Sequence, residues 1–438
     1  MEFIGGQQQA EFVDKIRDAN RERLLAAPID VGKHKAAALV CDFFGEIVAP
    51  PFEFDLNERG FTQLTTVLCR AEAQRDAAWT RVGLEQAGHY HDTLLVRLQN
   101  EGLDVALLNP AQVKENRSQN LLRSIKTDAR DLAAMAELII RGKGRTAPVE
   151  DGPMARQAVL VAHRRRKVRA RSALKNQILS TLDLVFPGLD GCFTDMLDTK
   201  LGNLLICEAI TPERVMRLGS KRLRTFAGNR GVMVKQAKAD QIVEAARIAF
   251  KLPATRADAL LEVISADAKL LEALESTIET TEANLAEVLP RTAAAVLTSM
   301  PHVNVVRASN YGAAVGDHSR FTSAAQVYRL SGLVPKLYES AGRRRPGTAI
   351  SREGKVELRE AILDLGRALR LGHPDFKAYA LQLKERGKHN GVIMCALGNR
   401  ANRIAFRMMC DQTSFDGALW PRVSGRIPHG RLASTRPK

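Results

Sequence analysis

Asp128 and Asp131 stand three residues apart, and the run that follows, with Leu132, Ala133, Met135, Ala136, Leu138 and Ile139, holds few helix breakers. On a helix, positions three apart share a face, so the spacing predicts two carboxylates side by side. Their repulsion costs stability unless a cation offsets it, and a divalent metal is the usual reason to hold such a pair. The other reading is a solvated helix face with two acids. Two further acids extend the pattern: Asp30 inside one apolar run and Glu85 at the end of another. Carboxylate oxygens suit Mg2+, which keeps several of its waters. Two such ions roughly 3.5–4 Å apart activate the attacking oxygen and stabilise the leaving oxygen of a phosphodiester. The quartet Asp30, Glu85, Asp128 and Asp131 therefore points to metal-dependent phosphoryl transfer on nucleic acid, with all four acids as ligands. A second candidate is Ser340, followed by Arg343, Arg344 and Arg345. Guanidinium groups beside a hydroxyl bind a phosphate and stabilise its charge in attack; the alternative is a turn serine without chemistry.

The segments that must position the acids alternate strands and helices. Apolar runs at 26–31, 36–43 and 46–54 read as three strands with Gly45 at a turn, and 57–75 as a helix. A strand at 78–84 delivers Glu85, a helix runs to Leu98, a strand at 104–108 ends at Asn109-Pro110, and the helix with Asp128 and Asp131 follows. Three strands, helix, strand, helix, strand, helix is the order of an RNase H-like fold. In that fold the first strand, the end of the fourth strand and the last helix converge.

Bulk composition agrees with a nucleic-acid partner. The 438 residues carry a formal net charge of +16 with 45% apolar residues, and a balance this basic points to a polyanion. The six cysteines have no CxxC spacing and read as reduced core thiols of a cytoplasmic protein. His89 and His91 lack matching ligands for a structural zinc. No apolar run reaches the roughly 18 residues of a membrane span, so no membrane is expected, and the polar start of the chain does not read as a signal peptide.

Residues 1–22 read as a leader, 23–150 as the acid-bearing domain, 151–290 as a helical segment, 291–411 as a second helical domain and 412–438 as a basic tail. Between Arg156 and Lys175 lie eight cations and no acid, among them Arg164, Arg165, Arg166 and Lys167. A solvated face would explain them; the lack of acids favours a phosphate-binding face. The stretch 189–252 reads as compact and helical, with Thr211-Pro212 as a cap, and carries no assigned chemistry. From Leu260 to Val288 a heptad seam runs through Ile264, Leu271, Leu274, Ile278, Thr281 and Leu285, broken by Asp267. It predicts a coiled coil, either an antiparallel hairpin with the basic helix or a joint to another chain.

These pieces together resemble the DEDD transposases of the insertion-sequence one-ten type, which include the Piv invertase. The resemblance rests on Ile29-Asp30-Val31-Gly32-Lys33, Glu85-Gln86-Ala87-Gly88-His89-Tyr90, Asn109-Pro110 and Lys126-Thr127-Asp128-Ala129-Arg130-Asp131. It continues in Gly332-Leu333-Val334-Pro335, Tyr338-Glu339-Ser340, and Ile350-Ser351 with Gly354. The family usually has a Pro-Gly-hydrophobic-Gly turn where this chain has Pro301-His302-Val303-Asn304. The resemblance implies an RNase H-like (RuvC-like) domain, a coiled-coil segment with 185–252 as an insertion, and a C-terminal transposase domain. It implies Mg2+, the quartet named above, and recombination through a covalent link between DNA and Ser340. It further implies a non-coding guide RNA pairing with donor and target DNA, and a homo-oligomer, dimer or tetramer, combining acids of one subunit with the serine of another. Ser351 is expected to cap the helix after it. The competing enzyme is a metal-dependent, junction-resolving nuclease in which water attacks and Ser340 only binds. A non-enzymatic nucleic-acid-binding assembly protein is the third reading.

Overall fold

The computed structural model describes residues 6–17, 20–86, 88–120, 128–146, 152–208, 210–336, 339–340, 343–344 and 349–417. They divide into two compact units, 1–150 and 151–438. The first runs α1 (Gly6–Arg17), β1 (Leu24–Val31), β2 (Lys35–Asp42), β3 (Ile47–Asp55), α2 (Glu58–Arg75), β4 (Trp79–Glu85), α3 (His91–Asn100), β5 (Asp104–Leu108), α4 (Pro110–Asn120), α5 (Asp128–Ile140) and β6 (Arg145–Thr146).

The sheet order is β3-β2-β1-β4-β5-β6. β1, β2 and β3 pair antiparallel, β4 joins β1 in parallel, and β5 joins β4 in parallel. β6, which the sequence reading missed, closes the edge antiparallel to β5. Period-two alternation sorts the strand residues into two cores. Leu25, Ala27, Ile29 and Val31 join Leu64 and Leu68 of α2 and Leu94 and Leu98 of α3. On the opposite face Leu24 and Ala26 join Leu132, Met135 and Ile139 of α5. Both faces are covered, which is why β1 is apolar almost throughout. Phe12 of α1 is buried in that second core, within 6.3 Å of the Phe43 ring and 6.0 Å of Trp79. Helix α2 starts at Asn57, whose side chain accepts from Gly60 N at 2.9 Å, the N-cap bond that satisfies an orphan donor. Gly83 has a packing reason: a Cβ there would lie 2.4 Å from Ile139 Cδ1, so only glycine lets α5 ride this close to β4.

The second unit is mostly helical: α6 (Gly152–Val185), α7 (Lys200–Cys207), α8 (Pro212–Gly228), α9 (Gln236–Ile248), α10 (Ala254–Val288), α11 (Val305–Val315), α12 (Ala324–Leu330), the strand pair β7 (Glu339–Ser340) and β8 (Arg343–Arg344), α13 (Val356–Gly372), α14 (Pro374–Glu385) and α15 (Asn390–Asp411). One core joins α7–α9 to facing parts of α6 and α10. A second gathers α11–α15. Of the six cysteines, all free, Cys41 and Cys192 are buried, while Cys69, Cys207 and Cys410 are exposed; the expectation of core thiols fails for those three. Burial and the neighbouring Asp42 carboxylate push the Cys41 thiol up to about 12.

The heptad seam is buried against α6 of the same chain. Ile264, Leu271, Ile278, Leu285 and Val288 are buried, facing a matching stripe of Leu174, Ile178, Leu182 and Val185. Cross-helix pairs run in opposite order, Arg164 to Glu282 and Lys175 to Glu275, so the helices are antiparallel. The break at Asp267 has a partner, since Gln177 Nε2 donates to its carboxylate at 3.0 Å. Thr281 is satisfied locally: its hydroxyl donates to Thr277 O at 2.7 Å. His302 stands at φ 58°, the left-handed region favoured by the glycine of the resembled turn, at a cost of about 1 kcal/mol. Asn304 then caps α11 by accepting from Arg307 N at 3.0 Å.

Two outcomes follow. Leu271→Ala should destabilise the second unit by about 2–4 kcal/mol with no change in particle mass by light scattering; a smaller particle with an unchanged melting temperature would move the seam to an interface between chains. His302→Gly should leave the melting temperature unchanged or raise it, and a marked fall would show that the imidazole, rather than the backbone, is needed at this turn.

Candidate functional site

The β1–β4 register builds the acidic site. Ile29 pairs with Leu84, so Asp30 and Glu85 come one step later on adjacent strands. Asp30 pairs with Ala37 and Glu85 with Leu108. Both partners belong to the core beneath α5, so both acids stand on the face that α5 covers. Each is half-buried. Asp128 and Asp131 occupy the first turn of α5, where unpaired N–H groups favour negative charge. Asp128 is exposed, whereas Asp131 is buried and takes an ion pair from Arg117 of α4 at 2.5 Å. Burying a carboxylate requires a compensating cation, and Arg117 supplies it. Asn116, one residue earlier on α4, ties the same two helices by donating to Ala134 O at 2.9 Å.

The structure thus brings Asp30 and Glu85 to neighbouring strand ends and seats Asp128 and Asp131 on the helix over that face. Among the described residues no three His, Cys, Asp or Glu close into a metal-holding group. The donor set fits a hard divalent cation in type, being carboxylate oxygen throughout.

Ser340 lies on a small antiparallel arm, paired with Arg343, while Glu339 pairs with Arg344. Arg345 lies outside the described residues. The arm's base is fixed by a bridge between Pro335 and Ile350, by Lys336 N donating to Ala349 O at 2.9 Å and by Ser351 N donating to Val334 O at 2.8 Å. Leu333 is buried in the helical core below. Gly354 explains the tightness: a Cβ there would lie 2.4 Å from Leu330 O and 2.7 Å from Gly332 N. Ser351 does not cap α13, contrary to expectation; its hydroxyl donates to Gly332 O at 3.3 Å, and α13 begins after Lys355 with no side-chain cap. The intervening turn, with Arg352 at φ 58°, carries the chain past the position a capping serine would need.

The basic helix is α6, and part of its charge is spent within the chain. Arg164 pairs with Glu282, Arg165 bridges Glu357 and Glu360 of α13, and Lys175 pairs with Asp198 and Glu275. Arg165 and Glu357 lie on a groove of about 430 Å³ between α6 and α13. Sequence reading missed the Arg164 and Arg165 pairs because their carboxylates lie more than a hundred residues away. Arg166 is exposed and Lys167 half-buried, and neither makes an ion pair with a described residue.

A transposase family model of the DEDD IS110 type matches residues 27–187, and a second, described as the transposase IS116/IS110/IS902 family, matches 294–381. The first spans all four acids and the whole of α6; the second spans the arm with Ser340. The chain is 25% identical over 395 residues to an uncharacterized 44.8 kDa protein of insertion element IS116 from Streptomyces clavuligerus, covering 89% of this chain and 96% of that one. A probable family 20 transposase of Pseudomonas aeruginosa is 25% identical over 368 residues, 81% of this chain and 87% of its own. A pilin gene-inverting protein of Moraxella bovis matches at 24% over 124 residues, 28% of this chain and 38% of that protein.

Arg117→Gln should leave Asp131 buried without its cation and destabilise the first unit by about 1–3 kcal/mol. Adding Asp131→Asn should recover most of that loss in a double-mutant cycle read by thermal melting. Additive losses would mean the two side chains do not depend on each other.

Proposed function

Because the chain belongs to the IS116/IS110/IS902 family of transposases, and is therefore an insertion-sequence enzyme acting on DNA, we propose that it cuts and rejoins DNA strands with the acidic quartet and Ser340. The observation that carries this reading is the β1–β4 register, which sets Asp30 beside Glu85 on the face covered by the helix of Asp128 and Asp131. Family membership implies a divalent metal, here Mg2+. Asp30, Glu85, Asp128 and Asp131 would hold it, and when bound it supplies Lewis acidity at the scissile phosphate.

Ser340 is the nucleophile. Its hydroxyl loses a proton as the oxygen bonds to phosphorus, one strand oxygen leaves with a proton as a free hydroxyl, and the phosphodiester is kept as a serine–DNA ester. Because one ester replaces another, the freed hydroxyl of a second strand can attack in reverse and rejoin the DNA. A serine hydroxyl needs activation at neutral pH. Arg343, Arg344 and Arg345, which follow in sequence, are the groups proposed to hold the phosphate oxygens. The α6–α10 pair acts as a coiled-coil stalk of a homo-oligomer. A non-coding RNA guides target choice, and Arg166 and Lys167 of α6 contact phosphates alongside Arg164 and Arg165 once these leave their intramolecular acids.

The acid prediction is that Asp30→Ala, Glu85→Ala, Asp128→Ala and Asp131→Ala each abolish strand cleavage in Mg2+ while circular dichroism stays native. Full cleavage by any two would remove the metal-site assignment. Ser340→Ala should keep DNA binding and lose a denaturation-resistant protein–DNA adduct, whereas Ser351→Ala, altering only the base of the arm, should keep it. Efficient cleavage by the native chain with no adduct would identify a water-using, junction-resolving nuclease instead.

A further inference from the structure

The helical excursion between α6 and α10 carries a charge imbalance that the proposed chemistry does not use. From Thr211 to Lys235 seven cations face one carboxylate, Glu213, a net of +6 out of +16 for the whole chain. Three of the seven hold the fold together. Arg214 and Arg230 both reach Glu208: Arg230 Nε donates to its carboxylate at 2.6 Å, and Arg214 Nη1 to its backbone carbonyl at 2.6 Å. Their guanidinium groups lie 5.3 and 4.1 Å from the Phe226 ring centroid. Arg224 donates to Val234 O at 3.0 Å and to Gln236 Oε1 at 2.9 Å.

The remaining four, Arg217, Lys221, Arg222 and Lys235, are exposed, and among the described residues their side chains make no ion pair or hydrogen bond. Like charges this close in sequence repel, and among the described residues no acid pairs with them. The backbone concentrates the cluster further. Gly219 interrupts α8 at φ 63° and ψ 172°, so Arg217 falls at the end of one half and Lys221 with Arg222 at the start of the next. A Cβ at Gly219 would meet nothing within 4 Å; the glycine is needed for its backbone angle rather than for room.

We propose that this α8 elbow is a docking surface for duplex DNA, held through backbone phosphates and blind to sequence. Charge complementarity names the partner class, since four unbalanced cations suit the closely spaced phosphates of a duplex. Single-stranded sites usually add an aromatic platform for bases, and Phe226, half-buried between two arginines, is not available as one.

The test uses the full chain with Arg217, Lys221, Arg222 and Lys235 all changed to Gln. Binding to two unrelated mixed-sequence duplexes is followed against salt. The slope of log affinity on log salt should flatten by about three to four, at roughly 0.9 per lost phosphate contact, equally for both duplexes, with an unchanged melting temperature. Arg224→Gln is the opposite control: it should lower the melting temperature and shift the slope by no more than about one contact. A native slope in the quadruple variant overturns the proposal, as does a loss confined to one sequence. A loss seen on duplex RNA with DNA binding intact overturns it in favour of an RNA occupant. Strand cleavage and adduct formation do not enter these readouts, so failure here leaves the active-site reading standing.

Discussion

Asp30 stands beside Glu85 because β1 and β4 pair in parallel, and pairing at this register has an electrostatic consequence. Neighbouring strands lie about 4.8 Å apart, so two carboxylates one step beyond the Ile29–Leu84 pair approach closely enough to repel. A one-residue slip would relieve the repulsion by turning one acid to the other face, but it would also carry Leu24 and Ala26 out of the α5 core and Leu25, Ala27 and Ile29 out of the α2–α3 core. Burial of roughly 1.5–3 kcal/mol for each large apolar side chain outweighs the repulsion of two half-buried acids. The hydrophobic alternation therefore holds the charges where they are, and a site that needs them can rely on the register.

Arginine use divides the molecule's positive charge into two classes. One class is consumed in structure: Arg117 on Asp131, Arg164 on Glu282, Arg165 across Glu357 and Glu360, Arg214 and Arg230 at Glu208. Planar guanidinium groups suit such duty because they bond in pairs and stack on rings. The other class, including Arg166, Arg217, Lys221 and Arg222, is exposed and makes no ion pair among the described residues. Net charge alone does not separate the two classes, and only the second can meet a polyanion without first breaking something.

This division marks what the chain reveals before folding. The strand sequence and the α5 acids were legible, because period-two alternation and a breaker-poor helical run are local signals. The heptad seam was legible too, including its flaw at Asp267, yet its partner was not; choosing α6 over another chain took the long-range match with Leu174, Ile178 and Leu182. The ion pairs of Arg164 and Arg165 escaped for the same reason, since their acids arrive from α10 and α13. Strand β6 has only two residues, too short for any periodicity. Proximity to a helix predicts Ser351 as a cap, while the left-handed turn at Arg352 depends on packing against Gly332 that sequence does not display.

The arm that carries Ser340 follows a related logic. A ladder of two residue pairs is marginal by itself, so its placement depends on what anchors the base. The base is unusually constrained: Gly332 takes φ 68°, Gly354 has no room for a Cβ, and Arg359 reaches back to Ser331 O at 3.0 Å and Arg352 O at 2.9 Å. Buried Leu333 joins that base to the helical core. A short ladder on a close-packed base takes its direction from that base. Substitutions at Gly332 or Gly354 would therefore act on the backbone that carries Ser340 without touching the serine, and the helical core would register them through Leu330 and Leu333.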